Sequence, residues 1–163
     1  GANVSDTRWF KEALAHRSGD QYAVDDIYRS PLHKDKLMAV YSASIRRGGD
    51  LNGEVLGVLG VYFDWESQAR TIVTDEPNLS ADEWVNTTVM LLDANQRIIA
   101  SSNGRNLLQP YALISEGKQK GAYIDANGNL VAFARTIGYQ EYDGLGWYAV
   151  IVRDAEKKLP LNQ

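Results

Sequence analysis

The first half of the chain opens with a helical pattern and continues with three strand-like runs. A helix is predicted over residues 8–15, capped by Ser5 or Asp6. Its apolar side chains recur at the spacing of one helix face: Trp9, Phe10, Ala13 and Leu14. Strands are predicted where Val, Ile and Tyr are frequent between turn residues, over 21–28, 36–47 and 53–64. Their short connections favour antiparallel neighbours, and a short helix is predicted over 66–73.

The second half restarts the strand pattern after a linker over 74–80. Ser80 and Glu83 have the spacing of a capping box, which predicts a further helical turn. Asn127 and Gly128 form the strongest two-residue hairpin signal in the sequence. A helical or irregular segment over 107–114 interrupts the strands, which are predicted over 87–93, 97–102, 122–125, 129–139 and 146–153.

The two halves share one plan of strands and helices. The second half runs strand, strand, helix and three further strands, and the first half looks like the second without its opening hairpin. Periodicity predicts an α+β class with antiparallel sheet, and the order of elements is that of a PAS-like sensor domain. The hint of duplication fits a tandem pair of such modules.

Composition narrows the possible functions. The 163 residues carry a net charge of −4, and the 17 basic residues are scattered, which argues against nucleic acid or an anionic membrane surface as the main partner. The chain has no cysteine, so disulfides, thiolate zinc sites and a cysteine nucleophile are excluded. His16 and His33 have no companion at metal-ligand spacing, so we expect solvated surface residues and no metal. We expect no cofactor and no enzymatic activity, because the common nucleophile, phosphate and zinc motifs are absent.

Four pieces of the sequence resemble Cache domains, the PAS-like extracytoplasmic sensors of bacterial chemoreceptors, histidine kinases and diguanylate cyclases. The segment 8–14 is similar to the helix that covers the pocket of a membrane-distal Cache module, and 24–30 is similar to the strand after it. The segments 39–45 and 53–60 resemble the last two strands of that module. Segments 89–93 and 144–151 resemble the opening and closing strands of the membrane-proximal module.

The resemblance implies a double Cache arrangement with tandem modules, of which the first is incomplete. Residues 1–76 would be the C-terminal part of the membrane-distal module and 77–163 the membrane-proximal one. The implied function is to bind a small molecule in the periplasm and transmit a conformational change. The parent receptor would be a homodimer, anchored in the inner membrane by segments outside this chain. Two alternatives stay open: a dimerisation or spacer module that binds nothing, and a cytoplasmic GAF- or PAS-type sensor.

The pocket expected in the first module has aromatic walls and a few polar points. Its predicted lining is Trp9, Phe10, Tyr22, Asp26, Tyr28, Tyr41, Ser42 and Tyr62. Asp25 and Asp26 point to opposite faces of a strand, so at most one of them reaches the pocket.

Two departures from the family pattern bear on the ligand. Amino-acid-binding members have an Arg two positions before the Trp and an acidic residue on the last strand, whereas this chain has Thr7 and Tyr62. A zwitterionic amino acid is therefore not the expected ligand. Gly57 and Gly60 are predicted either to admit a helix or ligand close to the last strand or to mark a bulge or bend.

Overall fold

A computed structural model of the chain describes residues 3–138 and 144–155. The chain divides into two compact units, Gly1–Ser67 and Gln68–Gln163. Both contain antiparallel sheet with few helices, which confirms the predicted α+β class. No helix within the described ranges is long and apolar enough to cross a bilayer. The interpretation of residues 1–76 and 77–163 as tandem modules remains a prediction.

The first unit is built on a three-stranded sheet in the order β1-β2-β3. Short 3-10 turns, Pro31–His33 and Arg47–Gly49, follow β1 and β2. The last helix, α2, continues directly from β3 and crosses into the second unit. The elements are α1 (Arg8–Ala15), β1 (Tyr22–Ser30), β2 (Lys36–Arg46), β3 (Val55–Asp64) and α2 (Trp65–Thr74).

Helix α1 packs against all three strands of this sheet. Trp9 and Ala13, four residues apart, are its buried side chains, whereas Leu14 of the predicted apolar face is half exposed. The predicted cap at Ser5 or Asp6 is wrong, because the N-cap is Thr7. The Thr7 hydroxyl does not cap the helix but donates to the Val4 carbonyl at 2.7 Å.

A β-bulge in β1 changes which side chains share a face of the sheet. Asp25 pairs with Val40, and Tyr28 pairs with Met38, so two residues of β1 lie opposite Ala39 alone. One extra residue reverses the alternation of side chains along a strand. Asp25 and Tyr28 therefore lie on the same face, although an uninterrupted strand would separate them.

The second unit has a five-stranded antiparallel sheet in the order β5-β4-β8-β7-β6. Ser80 and Glu83 form the predicted capping box at the start of α3. The Asn127-Gly128 turn joins β6 to β7, with Gly128 at φ +85°. The elements are α3 (Ala81–Val85), β4 (Thr87–Leu92), β5 (Ile98–Ser101), β6 (Lys120–Ile124), β7 (Leu130–Arg135) and β8 (Tyr148–Arg153).

Two predicted segments of the second unit differ from the structure. The segment 107–114 contains no helix, so of the two predicted conformations it adopts the irregular one. The strand predicted over 129–139 ends at Arg135, and residue 139 lies outside the described residues. Beyond that strand, the Thr136 N–H still donates to the Trp147 carbonyl at 2.7 Å.

Candidate functional site

The face of the first sheet that α1 covers is ordered in three rows across the strands. Each row takes one residue from β1, one from β2 and one from β3, and successive rows are about 7 Å apart along a strand. The first row is Ala23, Ser42 and Gly60; the second is Asp25, Val40 and Tyr62; the third is Tyr28, Met38 and Asp64.

The first row has small side chains, and Trp9 of α1 lies against it. The Ser42 hydroxyl donates to the Trp9 carbonyl at 3.0 Å, in a buried contact between the central strand and the helix. A Cβ at Gly60 would lie 2.7 Å from Cζ3 of the Trp9 ring, so glycine is needed for this approach. Gly57 does not share that reason, because no atom lies within 4 Å of a Cβ built there.

Tyr62, in the second row, is enclosed by two further rings. The Trp9 indole meets it edge-on with centroids 5.9 Å apart, and the centroid of the His33 ring lies 4.4 Å from that of Tyr62. Trp9 Nε1 and Tyr62 Oη are buried, and neither has a hydrogen-bond partner among the described residues. A buried polar group without a partner costs about 1–3 kcal/mol, so these two groups mark a place where a bound molecule would gain hydrogen bonds.

Burial also perturbs the ionisable groups of the second row. It raises the pKa of Tyr62, and the nearby Tyr28 side chain raises it further, while the Trp9 N–H partly offsets this. Burial raises the pKa of the Asp25 carboxyl as well, with a smaller opposing effect from Arg8. Arg8 itself is exposed and is paired with Glu12 at 2.7 Å. Within the described part of the chain, Asp25 makes no hydrogen bond or ion pair.

Five of the eight predicted pocket residues lie together on this side of the sheet. Trp9, Tyr28, Ser42 and Tyr62 are placed as above, and Phe10 meets the Trp9 ring edge-on at 5.9 Å. The hydroxyl of Ser42 is already engaged by the helix, so its role here is to hold α1.

The other three predicted residues lie elsewhere. Tyr22 and Tyr41 share the opposite face of the sheet, with ring centroids 6.5 Å apart. Asp26 lies within the bulge, and its Oδ1 accepts a hydrogen bond from the Ile27 N–H at 2.7 Å. The bulge explains why Tyr22 and Asp26 do not lie beside Tyr28. In a regular strand, all three side chains would share one face of the sheet. Ligand binding by any of the eight remains a prediction.

Two residues of the site, Asp25 and His33, were not predicted from the sequence. The exposure of a second histidine, His16, was predicted wrongly. Asp25 takes the place predicted for Asp26. His33, predicted to be a solvated surface residue, is half-buried against Tyr62, with its Nδ1 2.9 Å from Ser30 Oγ. The 3-10 turn after the Ser30-Pro31 pair brings it back over the sheet. His16 is also half-buried, and its Nδ1 lacks a partner among the described residues.

One face of the sheet in the second unit carries that unit's hydrophobic core. Side chains from the strands and the 107–113 segment fill it, including Leu92, Leu113, Val131, Phe133 and Val150. A cleft of about 70 Å³ remains beside Tyr123 and Phe133, below the ~300–1,000 Å³ of ligand pockets. A more open depression of about 400 Å³ lies at the ends of β7 and β8, next to residues outside the described ranges. No cluster of three or more potential metal ligands occurs among the residues described.

The chain matches no protein-family model and no curated protein. Its structure is similar to the ligand-binding domain of the Pseudomonas aeruginosa amino acid chemoreceptor PctC in complex with GABA, at 18% identity and a TM-score of 0.62, over 94% of this chain and 63% of that one. It is also similar to the periplasmic sensory domain of the Campylobacter jejuni chemoreceptor Tlp1, at 19% identity and a TM-score of 0.65, over 98% of this chain and 59% of that one.

A third similar structure is the ligand-binding domain of the Pseudomonas fluorescens chemoreceptor CtaA in complex with L-serine, at 12% identity and a TM-score of 0.56. It is aligned over 96% of this chain and 64% of that one, so the chain spans about three fifths of the length of these three domains. The similarity confirms the predicted fold: the chain has the PAS-like fold of bacterial chemoreceptor sensor domains.

Proposed function

We propose that this chain is a ligand-sensing portion of the extracytoplasmic domain of a bacterial transmembrane signalling receptor. A small molecule binds in the first unit, under α1 and beside Trp9 and Tyr62. The parent receptor is membrane-anchored through segments outside this chain, acts in the periplasm and is a homodimer. The fold supports this proposal, since similar domains were solved in complex with GABA and L-serine.

The observation that carries the proposal is the pair of buried polar groups beneath α1. Trp9 Nε1 and Tyr62 Oη belong to rings that meet edge-on, and both are buried without partners in the described structure, on the face that also presents Asp25. Folded proteins leave few such groups, and functional sites are one of the places where they persist. Aromatic walls with a few convergent polar atoms are the usual composition of a small-molecule site.

The connections of the site suggest how binding would be transmitted. Ser42 joins α1 to the central strand β2, and Tyr62 lies three residues before Trp65, where β3 passes directly into α2. A ligand that contacts Trp9 and Tyr62 would therefore act on both the covering helix and the strand that leads out of the unit. Its effect on the receptor is limited to the difference in its affinity for the two states.

A thermal-shift screen against carboxylates, amino acids, amines, purines and sugars tests the proposal. A specific ligand at about 100 times its Kd stabilises the protein by roughly 2.7 kcal/mol, which raises the unfolding midpoint by several degrees. Tyr62→Phe removes one unpartnered group and keeps the ring, whereas Trp9→Phe removes the other and replaces the indole with a smaller aromatic ring. Each should weaken calorimetric binding at least tenfold.

Tyr22→Phe is the matched control, because it removes the same hydroxyl from the opposite face of the sheet. Binding that survives both site substitutions, or a protein that melts cooperatively and binds nothing in the library, would contradict the proposal.

For the second unit we propose a structural role without a ligand, because the inner face of its sheet is filled. The ring of Phe133 lies over Gly121, where a Cβ would be 3.0 Å from Cζ, and completes this packing. A ligand whose affinity is lost on Phe133→Leu but kept in Trp9→Phe would assign the binding site to this unit instead.

A further inference from the structure

We infer that this chain pairs with a second copy of itself through the free edge of β3, so that two three-stranded sheets join into one antiparallel sheet of six strands. The inference goes beyond the proposed ligand site and does not depend on a ligand. It follows from three features: an edge that lacks the usual protection, a sequence that matches itself along this edge, and room for a second copy beside it.

The edge of β3 lacks the protection that the other sheet edges of the described structure have. Proteins protect edges with bulges, charges, short strands or covering loops, because a free row of backbone N–H and C=O groups recruits other strands. On the far side of the same sheet, β1 has a bulge and three charged side chains. In the second unit, β5 is bonded by a loop through the Leu108 N–H and the Ile98 carbonyl, at 2.7 Å, and β6 has only five residues.

The sequence of β3 matches itself when two copies run antiparallel. After an irregularity at its start, the strand pairs regularly from Gly57 onward, and residues 57–63 carry no charge. This run is centred on Gly60, so a two-fold axis at Gly60 pairs the whole run with itself. The carboxylates that flank the run are each paired within their own chain at 2.9 Å: Asp64 with Lys36, and Glu54 with Arg47.

This register places apolar side chains opposite each other on the face of the sheet away from α1. Leu59 of one copy lies opposite Val61 of the other, and these side chains are 56% and 54% exposed in the single chain. Gly57 lies opposite Phe63 of the second copy. No atom lies within 4 Å of a Cβ built at Gly57, so a ring from across the pair can lie over this glycine. The pair therefore covers the most exposed side chains of this face of β3.

The covering helix leaves room for a second copy. Because α1 packs against all three strands and is bonded to Ser42 of the central strand, it lies over β2. The two-fold axis of an antiparallel pair is perpendicular to the sheet, so both α1 helices lie on the same side. Three strand spacings separate the two β2 strands, which puts the helices roughly 14 Å apart, more than the 8–10 Å of helices in contact.

Sedimentation equilibrium of the chain, from low micromolar to millimolar concentration, tests the inference. We expect a monomer–dimer equilibrium whose Kd rises at least tenfold in Leu59→Lys and in Val61→Glu, because each substitution places a charge against an apolar side chain of the other copy. An equal mixture of the two variants should recover a heterodimer, since the introduced ammonium then lies opposite the introduced carboxylate. Leu32→Lys is the matched control, because it charges an exposed leucine that follows β1, and its Kd should stay within twofold of the wild type.

Hydrogen exchange of the unaltered chain gives a second measurement that needs no variant. Alternate amides of β3 point to its free edge, so their protection should rise with protein concentration, whereas that of the β1 amides should not. Circular dichroism melts check that the charged variants fold; both substituted side chains are exposed, so we expect cooperative melting.

Two results would overturn the inference. A chain that stays monomeric at millimolar concentration, with exchange of β3 independent of concentration, would leave this edge to a strand from outside the chain. A dimer that the charged variants form as tightly as the wild type, or a mixture of them that recovers no heterodimer, would assign the contact to another surface. The proposed ligand site stands or falls separately, because Trp9→Phe and Tyr62→Phe are assessed by ligand binding.

Discussion

Gly60 and Trp9 are in contact so close that a methyl group does not fit between them. A Cβ at Gly60 would lie 2.7 Å from Cζ3 and 2.8 Å from Cη2 of the indole, so the ring or the strand would have to move. We expect Gly60→Ala to lower the free energy of unfolding by about 1–3 kcal/mol, the usual cost of overpacking. Urea denaturation measures this loss, and displacement of Trp9 should also change its fluorescence.

Gly57→Ala is the matched substitution on the same strand. No atom lies within 4 Å of a Cβ at Gly57, so the change should be neutral or should stabilise the protein by up to about 1 kcal/mol, through the lower entropy of the unfolded chain. Equal losses at the two glycines would show that a general requirement of β3, and not the Trp9 contact, selects glycine.

The order of elements was predictable from the sequence because turn residues mark most strand ends. Asn127-Gly128 placed the β6–β7 turn, and the Ser80 and Glu83 pair placed the start of α3. Side-chain direction in β1 was not predictable, because one bulge residue reverses the alternation after Asp25. No local signal in the Asp25-Asp26-Ile27 stretch distinguishes a bulged strand from a regular one.

Other parts of the site depend on contacts between residues far apart in the chain. The reason for Gly60 is an indole about fifty residues earlier, and although alternation places Gly57 and Gly60 on opposite faces of β3, it does not show which of them an aromatic ring lies against. His33 follows a Pro in a short polar loop, which is typical of a solvated residue, yet the 3-10 turn returns its ring to Tyr62. Such tertiary contacts override composition and local pattern.

Ser42 should be needed to hold α1 on the sheet. Its buried hydroxyl donates to the Trp9 carbonyl at 3.0 Å, so we expect Ser42→Ala to cost about 1 kcal/mol of unfolding free energy. Ser101→Ala removes an exposed hydroxyl bonded to Asn103 and should change stability by less than about 0.5 kcal/mol. Hydrogen exchange of the α1 amides should accelerate in the first variant only; unchanged protection would show that Ser42 does not anchor the helix.

Asp25 should reduce stability at neutral pH, because burial disfavours its charged form. Burial raises the pKa of its carboxyl in the folded state, so the folded state binds this proton more tightly than the unfolded chain does. This contribution to stability is present at low pH and is lost as the pH rises through the folded pKa. Asp25→Asn should therefore raise the unfolding midpoint at pH 7 and flatten the dependence of that midpoint on pH above about pH 4, the ordinary pKa of an aspartate. A lower midpoint at pH 7, with Asp26→Asn unchanged, would show that Asp25 makes a stabilising contact instead.

Tyr111 should make the second unit sensitive to alkaline pH. Burial raises the pKa of its phenol to about 12, with smaller contributions from Tyr123 and Asp125. The unfolded chain loses this proton near the ordinary tyrosine pKa of about 10, so the free energy of unfolding should fall as the pH rises from about 10 to 12. Tyr111→Phe should make that fall shallower in urea titrations across this range, and Tyr22→Phe is the exposed control. If the free energy of unfolding falls equally steeply with pH in the wild type and in Tyr111→Phe, the phenol at position 111 ionises as easily in the folded unit as in the unfolded chain.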